Sequence, residues 1–521
     1  MLMQPRTTVE RIRATLLAPI AALLFAAAPA AAQAPSQVPA RPEPLEHDAP
    51  VPAARYGGIL TLANRGDPPA GFDSMRTSSI ALHHVGGALF GPGNLVMRCR
   101  ENMYLVCPYL AERWTVNQDF TEWTFIIRDD VYWHDGTRFT AEDAKFWFDL
   151  VFFGARVGER VRAPAYFARE LGDAESVAVL PDGRLRIAFS HRNPHFLDIL
   201  ANPRFKIAHP RHLMEPRIRA GEVSVSPLDV GLVGLGPFRL GRYRPGSLIR
   251  VRKFGKYFER DAARQRLPYL DGIDYVIMPD PFSMDAAFRS GRLDGGARGQ
   301  AHYLSRERME AYVRDLGEDV FFAMSEGGNF RLAFNVLKDG PWQDSRVRRA
   351  IALWIDKPAA IPAALGGFGW TTPDLGPPDI PVPRHFTNWP KFDIERLEKR
   401  RAEARRLLAE AGYQDGFTMG HMSRGLNTAP AEFIKAQLAG LGVDVELQVV
   451  DEGEWNRARV SLDYDSQQGR LTPSPIPEGT ESVYGRYSRN PDAYAKHEDP
   501  KVTALYRRLD QALTLSQRIQ I

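Results

Sequence analysis

The stretch WTFIIRDDVYWHDGTRFTAED, residues 123–143, decides the architecture of this chain. Trp123, Phe125 and Ile127 recur at every second position, which predicts a half-buried strand over residues 123–128. His134-Asp135-Gly136 is a turn, and Thr140 followed three residues later by Asp143 is a capping box. Phe146, Trp147, Leu150 and Phe153 then continue at helical spacing. Strand, turn and helix follow within about thirty residues, a unit suited to an α/β protein.

Outward from this block the pattern divides in two. Upstream, Gly57-Gly58-Ile59-Leu60-Thr61-Leu62-Ala63 reads as a strand entered from a glycine turn. Downstream, residues 229–275 are glycine-rich and strand-like, with Gly231, Gly234 and Gly236 before Pro237 forming a tight turn rather than a dinucleotide loop, because no helix opens there. Beyond Phe330 strands and helices alternate: a strand at residues 332–335, helices near 345–355 and 394–411, a strand at 417–422, a helix around Phe433 and a strand at 443–450. Gly412 stops the long helix, and its basic face (Lys399, Arg400, Arg401, Arg405, Arg406) reads as a solvated surface. Two unlike lobes follow, one richer in sheet and one alternating.

The 521 residues leave room for several domains, and 44% hydrophobic with 25% charged residues is an ordinary globular composition. A net charge of +4 gives no case for nucleic acid as a partner. Basic residues up to Arg13 precede an alanine-rich apolar run over residues 14–31, which predicts a signal peptide spanning 1–32 and cleaved near Ala32. Residues 33–55 form a proline-rich leader, and the folded body starts near Tyr56. In an oxidising compartment Cys99 and Cys107 are expected to form a structural disulfide across a hairpin turn, with two buried thiols as the alternative.

Catalytic and metal motifs are missing from the sequence. It contains no nucleophile elbow, no H-E-x-x-H pair and no phosphate-binding P-loop. His83, His84, His209 and His212 lack carboxylate or thiol neighbours at metal-ligand spacing and are expected at the surface or as caps, so no metal and no cofactor is expected. Acid pairs such as Asp129-Asp130, and Asp463 with Asp465, do not provide opposed catalytic carboxylates.

The ordered blocks resemble the family 5 extracellular solute-binding proteins, receptors of peptide- and nickel-type ATP-binding-cassette importers. Besides residues 123–143, the resemblance runs through Pro108-Tyr109-Leu110-Ala111-Glu112-Arg113-Trp114, Gly234-Leu235-Gly236-Pro237-Phe238, Leu267-Pro268-Tyr269-Leu270-Asp271 and residues 287–294. Phe334-Asn335, residues 344–351 and residues 407–413 continue it. It implies an α/β, two-lobed periplasmic binding protein of type II-like fold with a subdomain inserted in lobe I. The expected segments are lobe I at 56–97 and 222–325, the insertion at 98–221, lobe II at 326–485, and a return toward lobe I at 486–521 that is read as truncated. A ligand in the cleft would stabilise the closed state, which the importer's inner-membrane permease would read.

Strand alternation puts Asn329, Arg331, Ala333 and Asn335 on one face, which by resemblance lines the cleft. Tyr166 is a further candidate, in a segment where relatives offer a tyrosine. By resemblance, relatives also hold a peptide ammonium with an aspartate beyond the strand matching Tyr464-Asp465; residues 469–474 here lack an acid, so a peptide ammonium would lose that bond unless Asp465, Glu478 or Glu481 replaces it. Arg331 and Arg470 would suit a carboxylate or another anion. The resemblance implies a monomeric, non-enzymatic receptor for a peptide-like or other small solute; the alternative is an exported hydrolase-like enzyme.

Overall fold

A computed structural model of the chain describes residues 56–64, 66–77, 79–100, 105–261, 263–296, 306–320, 329–366, 396–424 and 428–471, with isolated positions between 499 and 517. The residue 123–143 unit folds as its pattern dictates. The strand Glu122–Ile127 leads through the turn into the helix Ala141–Phe152, where Asp143 Oδ2 accepts from the Thr140 amide at 2.9 Å and the Thr140 hydroxyl at 2.7 Å. The strand joins an antiparallel sheet ordered Ala111–Val116, Glu122–Ile127, Leu185–Phe189, Ala174–Val179. Its core is aromatic: Trp133, Trp147, Phe125, Phe148, Phe167, Phe196 and Phe205 are buried, and Phe167 stacks on Phe205 at 4.1 Å. Filling this space with large rings supplies most of the local hydrophobic drive, roughly 1.5–3 kcal/mol per buried side chain.

A five-stranded mixed sheet is ordered Phe238–Arg244, Leu248–Lys253, Gly272–Ile277, Ile59–Asn64, Gly295–Gly296. Ile59–Asn64 runs parallel to Gly272–Ile277 although more than two hundred residues separate them, so the antiparallel sheet is inserted between neighbouring strands of the mixed one. The glycines at 234 and 236 are required by close packing against the helix Ile80–Phe90, because a Cβ would lie 2.0 Å from the Leu89 carbonyl oxygen at 234 and 2.3 Å from that of Ala88 at 236. His134 braces this turn from the other side: its Nδ1 accepts from the Gly234 amide at 3.1 Å and its Nε2 donates to the Gly236 carbonyl at 3.0 Å. The two most recognisable motifs of the sequence are therefore halves of one joint.

A second mixed sheet is ordered Asn329–Phe334, Ser466–Leu471, Phe417–Arg424, Val443–Val450. Helices Ser345–Trp354 and Leu397–Glu410 pack on one face with Trp342, Met419 and Val443, and the helix Glu452–Ser461 covers the other through Trp455, Met422 and Ala333. Cys99 and Cys107 are joined by a disulfide with Cα atoms 5.1 Å apart. Cys107 stands opposite Met97 rather than Cys99, so the bond closes diagonally beyond the end of the hairpin. Most of the expected return at residues 486–521 falls outside the described residues.

Candidate functional site

The second mixed sheet holds most of the residues expected to bind ligand, and it divides them. Asn329 pairs with Leu471 and Arg331 with Gly469 at one end, whereas Phe334 pairs with Ser466 at the other. At about 3.4 Å per residue, Arg331 stands roughly 14 Å and Asn329 roughly 20 Å along the strand from Asn335, and Arg470 roughly 17 Å from Asp465. Register also separates the two arginines: Arg331 belongs to the alternating set of Ala333 and Gln467, Arg470 to that of Phe330 and Gln468. Tyr166 lies in the inserted region, 37% exposed, with its amide donating to Met75 O at 3.1 Å. The six residues do not form one cluster.

Asn335 departs from its expected role. It is fully buried, its Nδ2 donates to the carbonyls of Leu462 and Tyr464 at 2.9 and 3.2 Å, and its Oδ1 accepts from the Leu337 amide. Its own carbonyl accepts from Trp342 Nε1 at 3.0 Å. An amide with its groups so occupied ties the strand to the turn after the helix Glu452–Ser461 and has little capacity left for a solute. Glu478 and Glu481 lie outside the described residues.

Asp465 borders a cavity of about 370 Å³ between the sheet and the helix Glu452–Ser461. That helix starts at Asp451, whose side chain accepts from the Glu454 amide at 2.8 Å, and ends at Leu462 in left-handed conformation, which swings Asp463 and Asp465 to the rim. Asp465 Oδ2 accepts from the Gly420 amide at 2.8 Å and Oδ1 pairs with Lys338 Nζ at 2.9 Å, while Asp463 stands 3.8 Å from the same ammonium. Glycine at 420 permits this, since a Cβ would come within 3.1 Å of Asp465 Oδ2. The carboxylate is already neutralised and bonded, so it is poorly placed to hold a peptide ammonium. Gln448, Glu454 and Arg457 add further polar groups, and the lining residues include no histidine or cysteine. The cavity can hold a small polar molecule by hydrogen bonds but contains no nucleophile–base pair.

Two buried charged groups went unread in the sequence. His209 is not a surface histidine: with Asp73 and Arg162 it forms a triad in which every side chain is at most 3% exposed. Arg162 Nη2 lies 2.6 Å from Asp73 Oδ2, and His209 Nε2 lies 3.0 Å from Asp73 Oδ1. Burial pushes the Asp73 carboxyl up, but His209, Arg162 and the Met75 amide outweigh it and hold it well below the ordinary carboxylate range. Burial pushes His209 down, so its ring stays neutral and donates to the carboxylate. Lys206 is buried with its ammonium on the Gly91 carbonyl at 2.8 Å, and burial lowers its pKa to about 7. Spacing could not reveal either group, because 136 residues separate Asp73 from His209 and 115 separate Gly91 from Lys206. Among the described residues no cluster of metal-ligating side chains occurs.

A mixed sheet whose neighbouring parallel strands are split by a large insertion, followed by a second mixed sheet in the same chain, is the architecture of a two-lobed, type II-like binding protein. The family model described as "Bacterial extracellular solute-binding proteins, family 5 Middle" matches residues 106–493, and the chain belongs to that family. The family consists of binding proteins rather than enzymes. Over 353 residues the chain is 26% identical to the glutathione-binding protein GsiB of Salmonella typhimurium (strain LT2), covering 66% of this chain and 61% of that protein, so it spans less than two thirds of the relative's length. Its fold is similar to the DppA periplasmic binding protein from Helicobacter pylori in complex with peptide STSA, with TM-score 0.71 and 19% identity over 90% of this chain and 89% of that one. It is also similar to the dipeptide binding protein from Pseudoalteromonas sp. SM9913 in complex with Met-Leu, with TM-score 0.71 and 20% identity over 89% and 90% of the two chains. Among the described residues no helix is long and apolar enough to cross a membrane.

Proposed function

We propose that this chain is a periplasmic receptor of an ATP-binding-cassette importer, non-enzymatic and monomeric, which captures a peptide-like solute between two lobes and presents it to an inner-membrane permease. The observation that carries this reading is the family match over residues 106–493. On this reading lobe I comprises residues 56–97 and 222–325 with the insertion at 98–221, and lobe II begins near residue 326. The solute would meet lobe II at the end of the sheet that holds Asn329, Arg331 and Arg470, away from the occupied Asp465–Lys338 pair. Because the relative GsiB is named for glutathione, an anionic tripeptide, either of these arginines, which alternate to different faces of the sheet, suits a carboxylate-bearing ligand. Residues 1–32 would direct export and be removed near Ala32.

The test is a titration of the purified exported chain with glutathione and with Met-Leu, followed by tryptophan fluorescence and by melting temperature. Saturable stabilisation that leaves the ligand chemically intact is expected, weakened by Arg331→Met or Arg470→Met. Ligand turnover would overturn the reading in favour of an enzyme, and the absence of any saturable response to a panel of short peptides would remove the peptide-like substrate class.

A further inference from the structure

The first two strands of the five-stranded sheet, Phe238–Arg244 and Leu248–Lys253, have one packed face and one charged face, whereas farther across the sheet Met284, Ala287 and Leu293 cover that second side at Ala63 and Val276. Phe238, Ile249, Val251 and Tyr275 are buried against Leu82, Val85 and Leu89. The intervening positions on the first two strands and their neighbour carry Arg239, Arg242, Arg244, Arg250 and Arg252 beside a single carboxylate, Asp274. Arg239 stands directly opposite Arg252, and Arg242 directly opposite Arg250. Like charges at facing positions destabilise a sheet, so this arrangement costs the isolated fold. Asp274 relieves only the inner pair: its oxygens take Arg250 Nε at 2.9 Å and Arg252 Nη1 at 2.6 Å. Arg239, Arg242 and Arg244 are exposed and make no side-chain hydrogen bond or ion pair among the described residues.

Edge protection does not account for this concentration of charge. Phe238–Arg244 is an edge strand, where charged side chains and bulges discourage pairing with other chains. A register shift between Leu240 and Arg242 already supplies the bulge. Gly241 in that bulge leaves room for the arginine stems, since a Cβ there would approach Arg252 Cγ to 3.2 Å. The result is a strip two strands wide and roughly 17 Å long, from Arg239 to Arg244.

We infer that this strip is a docking surface for an acidic protein partner, one that presents carboxylates to Arg239, Arg242 and Arg244 above the Arg250–Asp274–Arg252 floor. Charge complementarity selects the partner: the floor already shows a carboxylate held by two guanidinium groups of this face, which is the geometry an incoming Asp or Glu would repeat. A bilayer is the poorer occupant, because neither strand carries an exposed large apolar side chain to enter it. The inference is independent of the solute site, which involves the other mixed sheet.

The experiment measures binding of fluorescein-labelled decaglutamate to the full chain by anisotropy at low and physiological salt. The comparison is between R239S/R242S/R244S and a charge-matched control, R169S/K399S/K435S. Saturable binding that falls about tenfold in the first variant and less than about twofold in the control supports the surface. Because the first variant removes facing like charges, its melting temperature should equal or exceed that of the wild type; the single reversal Arg242→Glu, with its own melting curve, serves as a second probe should the triple variant fold poorly. Equal losses in both triple variants, no saturable binding, or unimpaired binding by Arg242→Glu would overturn the proposal. Tighter binding to phosphatidylglycerol-doped vesicles than to decaglutamate, lost in R239S/R242S/R244S, would overturn it in favour of a membrane.

Discussion

The inserted antiparallel region and the second mixed sheet are stabilised in different ways. The first is held by ring packing: Trp147 meets Phe148 edge-on at 4.9 Å, and Phe189 meets Phe196 at 4.9 Å. The second has an apolar cluster under two helices on one face, with Trp342, Trp354 and Met419 in it, and a strip of buried polar groups, His421, Ser423, Ser466 and Gln467, along its central strands. Ser466 Oγ donates to the Gly420 carbonyl at 2.9 Å, which leaves it to accept from His421 Nδ1 at 3.0 Å, and Ser423 Oγ donates to Gln468 at 2.8 Å. Ring packing dominates the first region, whereas the second combines apolar packing with paired hydrogen bonds in its interior. A packed aromatic block tolerates little rearrangement, so it suits a rigid scaffold.

The largest expected effect lies where the insertion meets the chain segment after the strand Ile59–Asn64. Asp73→Ala would leave Arg162 buried and uncompensated, at a cost of about 3–5 kcal/mol. Lys338→Ala breaks a pair whose ammonium is 41% exposed and should cost at most about 1 kcal/mol. Urea unfolding of both variants checks the contrast, and comparable losses would show that the two regions are not held differently.

Acidification comes next. Burial lowers the pKa of His134 from 6.5 to about 4 and that of His421 by a similar amount. The folded value lies below the unfolded one, so both states are neutral above pH 6.5 and no penalty applies there. As pH falls from 6.5 toward 4, the unfolded chain takes up protons that the fold refuses, and stability drops by up to about 3 kcal/mol per histidine. Melting temperatures across this range should decline, and His134→Gln should flatten part of the slope. An unchanged slope would mean that the ring is not the buried neutral brace described.

Most of the fold was legible because its signals are local. The strand-turn-helix unit, the long helix stopped by Gly412 and the strand Val443–Val450 follow from periodicity, a cap and a glycine, all within a few residues of each other. The site was less legible because its determinants are long-range. Alternation placed Asn335 on a face with Asn329, but it could not show that Leu462, Tyr464 and Trp342 would consume its hydrogen-bonding groups. The pairing of Asp465 with Lys338 likewise depends on how the turn at Leu462 folds back.

Within the second sheet, Ser466→Ala tests whether the polar strip is held as firmly as its geometry indicates. The substitution removes the donor to the Gly420 carbonyl and the acceptor for His421 Nδ1, leaving two buried groups unpaired, at a cost of about 1–3 kcal/mol. Among the described residues His421 Nε2 is already buried without a partner, so further loss falls on a ring with no alternative bond there. Denaturant unfolding should show the loss; a shift within a few tenths of a kcal/mol would mean that water enters the strip and that the sheet is softer than its burial implies.

The smallest effects compare two helix caps. Thr140→Ala and Asp451→Ala each remove a side-chain cap and should each cost about 1 kcal/mol. Their consequences should nevertheless differ in extent. The helix Ala141–Phe152 is locked into the aromatic core by Trp147 and Phe148, so losing its cap should lower global stability while leaving amide exchange along the helix slow. The helix Glu452–Ser461 is held by a small cluster around Trp455 and borders the open cavity, so its first turn can fray without unfolding the sheet. Hydrogen exchange should therefore accelerate locally at residues 452–461 in Asp451→Ala, with little change in the global transition. Equal, global responses from both variants would show that the cavity wall is as firmly integrated as the aromatic block.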